Sequence, residues 1–260
     1  MSKIIAIANQ KGGVGKTTTA INLGAGLAVS ERPTLVVDAD PQGNATSGFG
    51  IDRRSLQRTV YDALLEGTPL EDVILRRVHF PYLDLAPASQ DLVGAEIQIV
   101  DRPGREFILR EALAPVRDRY EFVLIDCPPS LGLLTVNTLA AADAVLIPIQ
   151  CEYYALEGLS QLLNTVRIVQ KNMNPKLQIE GVLLTMFDAR LNLSQQVAAE
   201  AKEYFGEKVF KTAIPRNVRL AEAPSFGKPI VLYDVVSAGA RSYLALAREF
   251  IRRNGGQERN

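Results

Sequence analysis

The fold is decided by residues 3–18, KIIAIANQKGGVGKTT, in which a short apolar run leads through a glycine-rich turn into the start of a helix. Glycines at such a turn let successive backbone N–H groups point inward around a phosphate chain, and the helix adds the positive end of its dipole. Lys16 is spaced to reach the β- and γ-phosphates of a nucleotide, and Thr17 to bind Mg²⁺. The stretch therefore predicts a phosphate-binding loop rather than a glycine-rich turn without a ligand.

The loop departs at one end from the usual pattern G-x-x-x-x-G-K-[ST]. Gln10 stands at the position of the first glycine and Lys11 follows it, so that Lys11 and Lys16 bracket one phosphate site. A second cation there can stabilise the charge that spreads over a transferred phosphoryl group, although a solvated loop lysine would have the same spacing. The spacing leaves open whether Lys11 serves its own nucleotide or that of a neighbouring molecule.

Two later apolar strands end in aspartate. Residues 35–40 read LVVDAD and residues 122–126 read FVLID. Because open α/β sheets bind ligands at the carboxyl ends of their strands, we expect Asp126 to act as a partner of Mg²⁺. Asp40, in a loop with Gly43, is better suited to orienting an attacking water. Capping of the next helix or turn is the alternative for these carboxylates, and it has most weight for Asp38.

Further apolar and β-branched runs alternate with helical patterns along the chain. We expect strands at residues 4–8, 34–37, 82–86, 122–125, 144–149 and 182–185, helices at 16–29 and 240–253, and helical surface segments at 48–80 and 89–120. Runs without apolar–polar alternation indicate strands that are covered on both faces. The sequence therefore predicts an α/β fold with a doubly wound, mostly parallel sheet and helices on both faces. We expect a single P-loop NTPase domain at residues 1–253 and a polar tail at 254–260.

Charge and composition limit the classes of function. The chain of 260 residues has 29 basic and 29 acidic residues, but they are unevenly distributed. Residues 1–150 contain 14 basic and 18 acidic residues, whereas residues 151–260 contain 15 basic and 11 acidic residues. A basic C-terminal part is compatible with a polyanionic partner. Cys127 and Cys151 fit neither a disulfide framework nor a zinc site, and with His79 they are expected to be structural. There is no apolar run of bilayer length and no signal-peptide pattern, which predicts a cytoplasmic protein.

Four blocks follow one another along the chain: the Lys11-containing loop, residues 40–44 (DPQGN), residues 124–158 (LIDCPPSLGLLTVNTLAAADAVLIPIQCEYYALEG) and residues 214–229 (IPRNVRLAEAPSFGKP). In this order they resemble the ParA/Soj partition ATPases, a deviant Walker A family related to MinD. The resemblance covers nearly the whole chain. It implies a slow, Mg²⁺-dependent ATP hydrolase that forms a homodimer with ATP, binds double-stranded DNA without sequence preference, and associates with the nucleoid. A ParB-type centromere-binding protein would stimulate it, so that hydrolysis drives chromosome or plasmid partitioning.

The resemblance also implies roles for individual residues. Lys16 would bind phosphate and Thr17 would bind Mg²⁺ in the same subunit, whereas Lys11 would reach across a two-fold interface to the partner's nucleotide. Asp40 would position the hydrolytic water beside the metal, and Asp126 would sense the metal and the γ-phosphate. The other implied contacts are to phosphate (Gly12, Gly13, Val14, Gly15, Thr18), to the partner's nucleotide (Glu152), to adenine (Met186, Pro215, Asn217) and to DNA (Arg190, Arg219, and Arg216 in the same basic segment).

Two other functions from the same superfamily make different demands on the sequence. A membrane-cycling ATPase resembling MinD needs an amphipathic C-terminal helix that is free to enter lipid, but Tyr243, Leu246 and Phe250 are spaced for packing, and the tail is polar. An electron-transfer protein resembling nitrogenase iron protein needs cluster-binding cysteines, and neither cysteine matches those positions. We therefore expect a partition ATPase without a membrane partner, with MinD-like cycling as the alternative.

Overall fold

Six strands form the central layer of the computed structural model, which describes residues 2–152 and 155–256. They are β1 (Lys3–Ile7), β2 (Thr34–Asp38), β3 (Leu83–Ala86), β4 (Phe122–Asp126), β5 (Ala144–Gln150) and β6 (Gln178–Thr185). The strand order is β3-β2-β4-β1-β5-β6, and every pairing is parallel. The prediction of a mostly parallel sheet is confirmed, and β6 begins earlier than expected.

Helices flank this sheet on both faces. They are α1 (Lys16–Val29), α2 (Asn44–Gly48), α3 (Val60–Leu65), α4 (Leu70–Val73), α5 (Leu92–Gln98), α6 (Ile108–Leu113), α7 (Leu133–Ala141), α8 (Ala155–Asn172), α9 (Asn192–Phe205), α10 (Val218–Glu222), α11 (Ile230–Tyr233) and α12 (Ala238–Arg253). The predicted helix at 16–29 is confirmed. The segments 48–80 and 89–120 are helical only in short pieces, and part of the first instead pairs with β3 through an antiparallel bridge between Leu75 and Leu85.

Alternate residues of each strand face opposite sides of the sheet, and this divides the core into two parts. Val123 and Ile147 belong to the part that includes α7 and α8, whereas Leu124 and Leu146 belong to the part that includes α1 and α12. Helices α1 and α12 approach closely at Gly26, where an added Cβ would lie 2.9 Å from the Cβ of Ala247. The doubly wound architecture is thus confirmed as a single domain.

The apolar side of α12 is covered by the rest of the protein. Its buried residues include the three that are spaced for packing in the sequence, Tyr243, Leu246 and Phe250, together with Ala247 and Ile251. The Phe250 ring packs edge-on against Phe122, with a centroid distance of 5.3 Å. At the end of the helix, Asn254 donates from Nδ2 to Glu180 Oε1 on β6 at 2.8 Å. The expected tail therefore begins against the sheet, and its residues 257–260 lie outside the described residues.

The strand register brings the carboxyl ends of three central strands together. Asp126 on β4 is paired with Asp38 on β2 and, on its other side, with Ile7 on β1. The loop that follows β1 therefore starts beside Asp126, with Asp38 one strand further along the sheet. Among the helices that the structure describes, none combines the length and apolar character needed to cross a membrane.

Candidate functional site

The loop of residues 8–15 joins β1 to α1, and two glycines determine its path. Gly13 and Gly15 have φ angles of 74° and 89°, in the left-handed region that residues with a Cβ rarely adopt. Gly15 directly precedes α1 and supplies no side-chain cap, so that backbone N–H groups in the first turn can bind an anion. The Thr185 hydroxyl on β6 supports the loop by hydrogen bonding to the Val14 carbonyl at 2.8 Å.

Lys16 is the first residue of α1, and it is buried within this loop with an exposure of 6%. Its Nζ donates to the carbonyl oxygen of Lys11 at 3.2 Å. Burial lowers the pKa of the Lys16 ammonium, and the nearby Asp126 and Asp40 carboxylates oppose this shift. A buried cation at a helix N-terminus is suited to an anionic ligand that replaces its lost hydration.

Asp126 ends β4 in the same region. Both of its carboxylate oxygens are buried, and neither forms a hydrogen bond of ordinary geometry with a described residue, although the Thr17 side chain lies close enough to favour the charged form. Burial, followed by the neighbouring Asp38 carboxylate, raises the pKa of Asp126 well above its ordinary value. Buried acceptors without donors are rare in native proteins and point to a ligand or ion. Asp126 is therefore suited to interact with a cation or its bound water at this edge of the sheet.

A cavity of about 540 Å³ opens over the phosphate loop. Asp40 lines it, and Asp40 Oδ1 accepts a hydrogen bond from the Gln42 N–H at 2.9 Å. The cavity also contains loop residues that the sequence singled out: Gly12, Gly13, Gly15, Lys16, Thr17 and Thr18. It further contains residues that sequence reasoning missed: Asn44, Ser47, Gly48, Pro129, Pro224 and Ser225. The expected gathering of Lys16, Thr17 and Asp40 around one cavity is thus observed.

A smaller, largely apolar pocket of about 170 Å³ continues from Gly15 and Thr18. The three residues expected to hold adenine, Met186, Pro215 and Asn217, all line it. Tyr243 of α12 also lines it and hydrogen bonds through its hydroxyl to Thr19 Oγ1 on α1 at 3.1 Å. The sequence predicts only a packing role for Tyr243, because its helical spacing does not show that α12 forms part of the wall of this pocket.

Glu152 lies between two residues from distant parts of the chain. Its Oε2 is 3.7 Å from Lys11 Nζ, and its Oε1 is 3.4 Å from Arg216 Nη2. Lys11 and Glu152 are partly exposed, with 35% and 46% of their side-chain surfaces accessible. The structure therefore brings together Lys11 and Glu152, which the resemblance links to the partner's nucleotide, and Arg216, which is expected at DNA.

The other two arginines expected at DNA are also paired with carboxylates. Arg190 Nη2 is 2.7 Å from Asp188 Oδ2, and Arg219 contacts Glu222 at 3.0 Å and Asp234 at 3.5 Å. Both arginines remain accessible, with 89% and 55% of their side chains exposed. Their net contribution to a positive surface is therefore smaller than the sequence count suggests.

Asp38 differs from Asp40 in its environment. It is fully buried, and its carboxylate accepts hydrogen bonds from the backbone and hydroxyl of Thr46 in α2. Burial raises the pKa of Asp38 to about 6 despite these bonds. The alternative of a cap for the following helix is therefore what the geometry supports for Asp38.

The cysteines and the histidine have structural environments. Cys127 and Cys151 are buried and unpaired, and burial raises the pKa of the Cys151 thiol to about 11. His79 Nε2 lies 2.8 Å from the Phe49 carbonyl and 3.1 Å from that of Gly227, where it can act only as a donor. Within residues 2–152 and 155–256, there is no group of three or more His, Cys, Asp or Glu side chains that could hold a metal ion.

Comparison with known sequences gives close relatives over the whole chain. A family profile described as an AAA domain matches residues 2–179. The Bacillus subtilis sporulation initiation inhibitor protein Soj is 60% identical over 96% of this chain and 98% of its own length. The Myxococcus xanthus chromosome partitioning protein ParA is 58% identical over 98% of this chain and 89% of its own length.

Comparison with solved structures gives the same architecture. A Mycobacterium smegmatis cobyrinic acid a,c-diamide synthase, crystallised with ADP and magnesium, aligns with a TM-score of 0.85 and 37% identity. The alignment covers 99% of this chain and 98% of that protein. The sheet and the helices around it are thus those of a fold that holds a magnesium nucleotide in that relative.

Proposed function

This chain belongs to the ParA/Soj family of chromosome-partitioning ATPases, and on that premise we propose that ATP joins two copies into a dimer that binds DNA and releases it after hydrolysis. The observation that carries the nucleotide part is the buried pair of Lys16 and Asp126 at the open N-terminus of α1. The ammonium lacks bulk hydration, and the carboxylate has the Thr17 side chain nearby but no hydrogen bond of ordinary geometry with the described residues. A magnesium nucleotide would supply the missing partner to each.

The residues present fit Mg²⁺ and ATP. Mg²⁺ usually binds proteins through one or two oxygen ligands, with water and substrate phosphates completing its shell, and the Thr17 hydroxyl with Asp126 and Asp40 nearby provides such a set. When bound, the metal would neutralise charge on the β- and γ-phosphates. Lys16 and the backbone N–H groups of residues 12–18 would hold the phosphates, and the pocket of Met186, Pro215 and Asn217 would hold adenine.

Asp40 is proposed to orient the attacking water. Its place in the cavity over the phosphate loop, and the hydrogen bond from Gln42 that fixes Oδ1, support this role. Phosphoryl transfer depends mainly on positioning and on stabilisation of charge. We expect slow turnover in the isolated protein and stimulation by a ParB-type partner.

The proposed dimer rests on Lys11. Its carbonyl oxygen accepts from Lys16, while its ammonium lies 3.7 Å from Glu152 Oε2, and neither Lys11 nor Glu152 is among the residues that line the cavity over the phosphate loop. This placement supports a role for Lys11 at the nucleotide of a second copy. Glu152 is proposed to contact that nucleotide too, and to do so it must exchange its present partners Lys11 and Arg216.

Binding of double-stranded DNA is proposed for Arg190, Arg216 and Arg219. Exposed arginines that contact phosphates give affinity without reading sequence, and the affinity falls steeply with salt. A dimer doubles the number of such contacts and makes the second set effectively intramolecular. ATP occupancy would thereby control DNA occupancy, and we propose a cytoplasmic, nucleoid-associated location on this basis.

MinD-like membrane cycling is the alternative, and the C-terminal helix argues against it. The apolar residues of α12 pack against α1 and the sheet. Release of this face to lipid would therefore remove part of the core, including Phe250. Reversible insertion of an amphipathic helix normally uses a face that is exposed beforehand.

One experiment separates these functions. DNA binding would be measured by fluorescence anisotropy with ATP, ADP and no nucleotide across a salt series, with anionic lipid vesicles as a parallel ligand. We expect binding to DNA only with ATP, a steep loss with salt, and no retention on vesicles. Equal DNA binding in all three nucleotide states, or ATP-dependent vesicle binding, would overturn the proposal.

A further inference from the structure

The loop of residues 38–46, here called the Asp38 loop, is tied at both ends to one buried carboxylate. Asp38 Oδ1 accepts a hydrogen bond from the Asp40 N–H at 3.2 Å. Asp38 Oδ2 accepts from the Thr46 N–H at 2.7 Å and from the Thr46 hydroxyl at 2.6 Å. The segment that contains Asp40 is therefore closed into a ring by the last residue of β2.

Thr46 connects this ring to a second strand of the sheet. While its hydroxyl donates to Asp38, the hydroxyl oxygen accepts from the Ala88 N–H at 2.9 Å. Asp38, Thr46 and Ala88 are all fully buried, and Ala88 lies just after β3. The Asp38 loop is thus anchored both to β2 and to the segment that leaves β3.

Between its anchors, the Asp38 loop has one further bond to the sheet, from the Ala39 N–H to the Asp126 carbonyl at 3.0 Å, and the Gln42 carbonyl accepts from Arg53 Nη1. Gly43 has a φ of 59°, and the Asp40 carbonyl accepts from the Gly43 N–H at 2.8 Å. The bond from Gln42 to Asp40 Oδ1 turns the carboxylate relative to the loop, but it does not connect the loop to the sheet. The bonds of Asp38 to the Asp40 N–H and to Thr46 therefore act together with the Ala39 bond to place Asp40 relative to the phosphate cavity.

The neighbouring residues Asp38 and Asp126 also differ in the hydrogen bonds that they receive. Asp38 and Asp126 are paired in register on adjacent strands. Asp38 receives three hydrogen bonds of ordinary geometry, whereas Asp126 receives none of that kind from the described residues and has the Thr17 side chain nearby. Asp38 is thereby committed to the loop, and Asp126 is the carboxylate left for a ligand.

We propose that Asp38 and Thr46 are positioning residues for ATP hydrolysis, which hold Asp40 at the phosphate cavity without contacting the reacting atoms. The proposal rests on the proposed role of Asp40 in orienting water. A carboxylate that swings by about 1 Å loses the geometry for a water attack, and misplacement on this scale can lower a rate by about 100-fold. Loss of the tether should therefore lower kcat and leave the binding of ATP by the phosphate loop intact.

The test compares Thr46→Val with Thr46→Ser, since valine keeps the shape of threonine without the hydroxyl and serine keeps the hydroxyl. We expect Thr46→Val to lower kcat by about 10- to 100-fold, with the KM for ATP within about twofold of the parent. Thr46→Ser should retain kcat within about threefold. Like Asp40→Ala, Thr46→Val should prolong the life of the ATP dimer in sedimentation velocity.

Asp38→Asn gives a second measurement that does not depend on the folding of Thr46→Val. The amide keeps one acceptor but presents an NH₂ group to N–H or O–H donors, so one end of the ring must open. Its kcat should also fall by at least about tenfold with ATP affinity retained. Circular dichroism and ATP titration would establish that each variant is folded.

The outcomes separate this inference from the function on which it rests. Parental kcat in Thr46→Val or Asp38→Asn, while Asp40→Ala abolishes hydrolysis, would overturn the positioning role alone. Hydrolysis that survives in Asp40→Ala would instead overturn the water-orienting role of Asp40, and with it this proposal. Equal loss of kcat in Thr46→Ser and Thr46→Val would show that the hydroxyl tether is not the cause.

Discussion

Removal of the Arg190 side chain gives the sharpest test of DNA binding, because the chain contains a matched control. Arg190 binds Asp188 two residues earlier through its backbone N–H, Nε and Nη2 at 3.0, 2.9 and 2.7 Å. Arg54 binds Asp52 through the same three groups, each at 3.1 Å. The two arginine side chains are 89% and 91% exposed. Arg190→Ala and Arg54→Ala therefore remove the same local interactions, and only the first removes a proposed DNA contact.

The expected magnitude follows from the number of phosphate contacts. Each contact contributes about 0.9 to the slope of log affinity against log salt, so two copies of Arg190 in a dimer contribute about 1.8. If the electrostatic contribution is negligible at 1 M salt, Arg190→Ala weakens binding by roughly 60-fold at 0.1 M. The assay is fluorescence anisotropy with a DNA duplex of arbitrary sequence and ATP, from 0.05 to about 0.4 M salt.

Arg54→Ala should leave both the slope and the affinity unchanged, and neither substitution should change ATP-driven dimerisation. Because both arginine side chains are largely exposed, loss of either ion pair should have little effect on folding. The reasoning is refuted if Arg190→Ala keeps the parental slope, or if the two variants weaken DNA binding equally.

Four further results are expected. Lys16→Ala should lower ATP affinity by at least about 10- to 100-fold, since it removes a charge-assisted contact to phosphate; titration calorimetry that finds parental affinity would contradict the phosphate-loop assignment. Asp40→Ala should retain ATP and accumulate as a dimer in sedimentation velocity, and monomers alone would count against it. Phe250→Ala should reduce the free energy of unfolding by about 3–5 kcal/mol in urea, and a loss under about 1 kcal/mol would be inconsistent with its burial. The pKa of Asp38 is raised to about 6, so the native state binds more protons than the unfolded state between about pH 4 and 6. This contribution to stability is therefore lost as the pH rises through that range. Asp38→Asn should flatten the pH dependence of the free energy of unfolding in urea titrations.

The sequence predicted the sheet and the centre of the site well because both depend on local patterns. Buried parallel strands need continuous apolar runs, and aspartates at the ends of such runs must meet at one edge, as Asp38 and Asp126 do. The phosphate loop could be predicted equally well, since its glycines, Lys16 and Thr17 lie close together in the sequence. A site built from strand ends and one turn can therefore be predicted from spacing alone.

The less accurate predictions concern contacts between distant segments. Residues 48–80 were expected to be helical, but Leu75 pairs with Leu85 beside β3, and no local pattern shows that partner. No local sequence pattern singles out Thr46, because its proposed role depends on hydrogen bonds of its hydroxyl with Asp38 and with Ala88. Helical spacing indicates only a packing role for Tyr243, although its hydroxyl forms a hydrogen bond with Thr19, close to the phosphate loop.

Glu152 illustrates how such contacts can join functions that the sequence treats separately. Lys11 is proposed to act at a second copy and Arg216 to act on DNA, yet both cations lie against the same carboxylate, at 3.7 and 3.4 Å. A carboxylate shared by two cations attracts each of them, so any movement of Lys11 toward a neighbouring nucleotide alters the electrostatic environment of Arg216. Because both ion pairs are partly exposed, breaking either one costs little free energy. A weak shared ion pair is compatible with the proposed movement of Lys11 toward a second copy when ATP binds, because neither pair strongly opposes that movement.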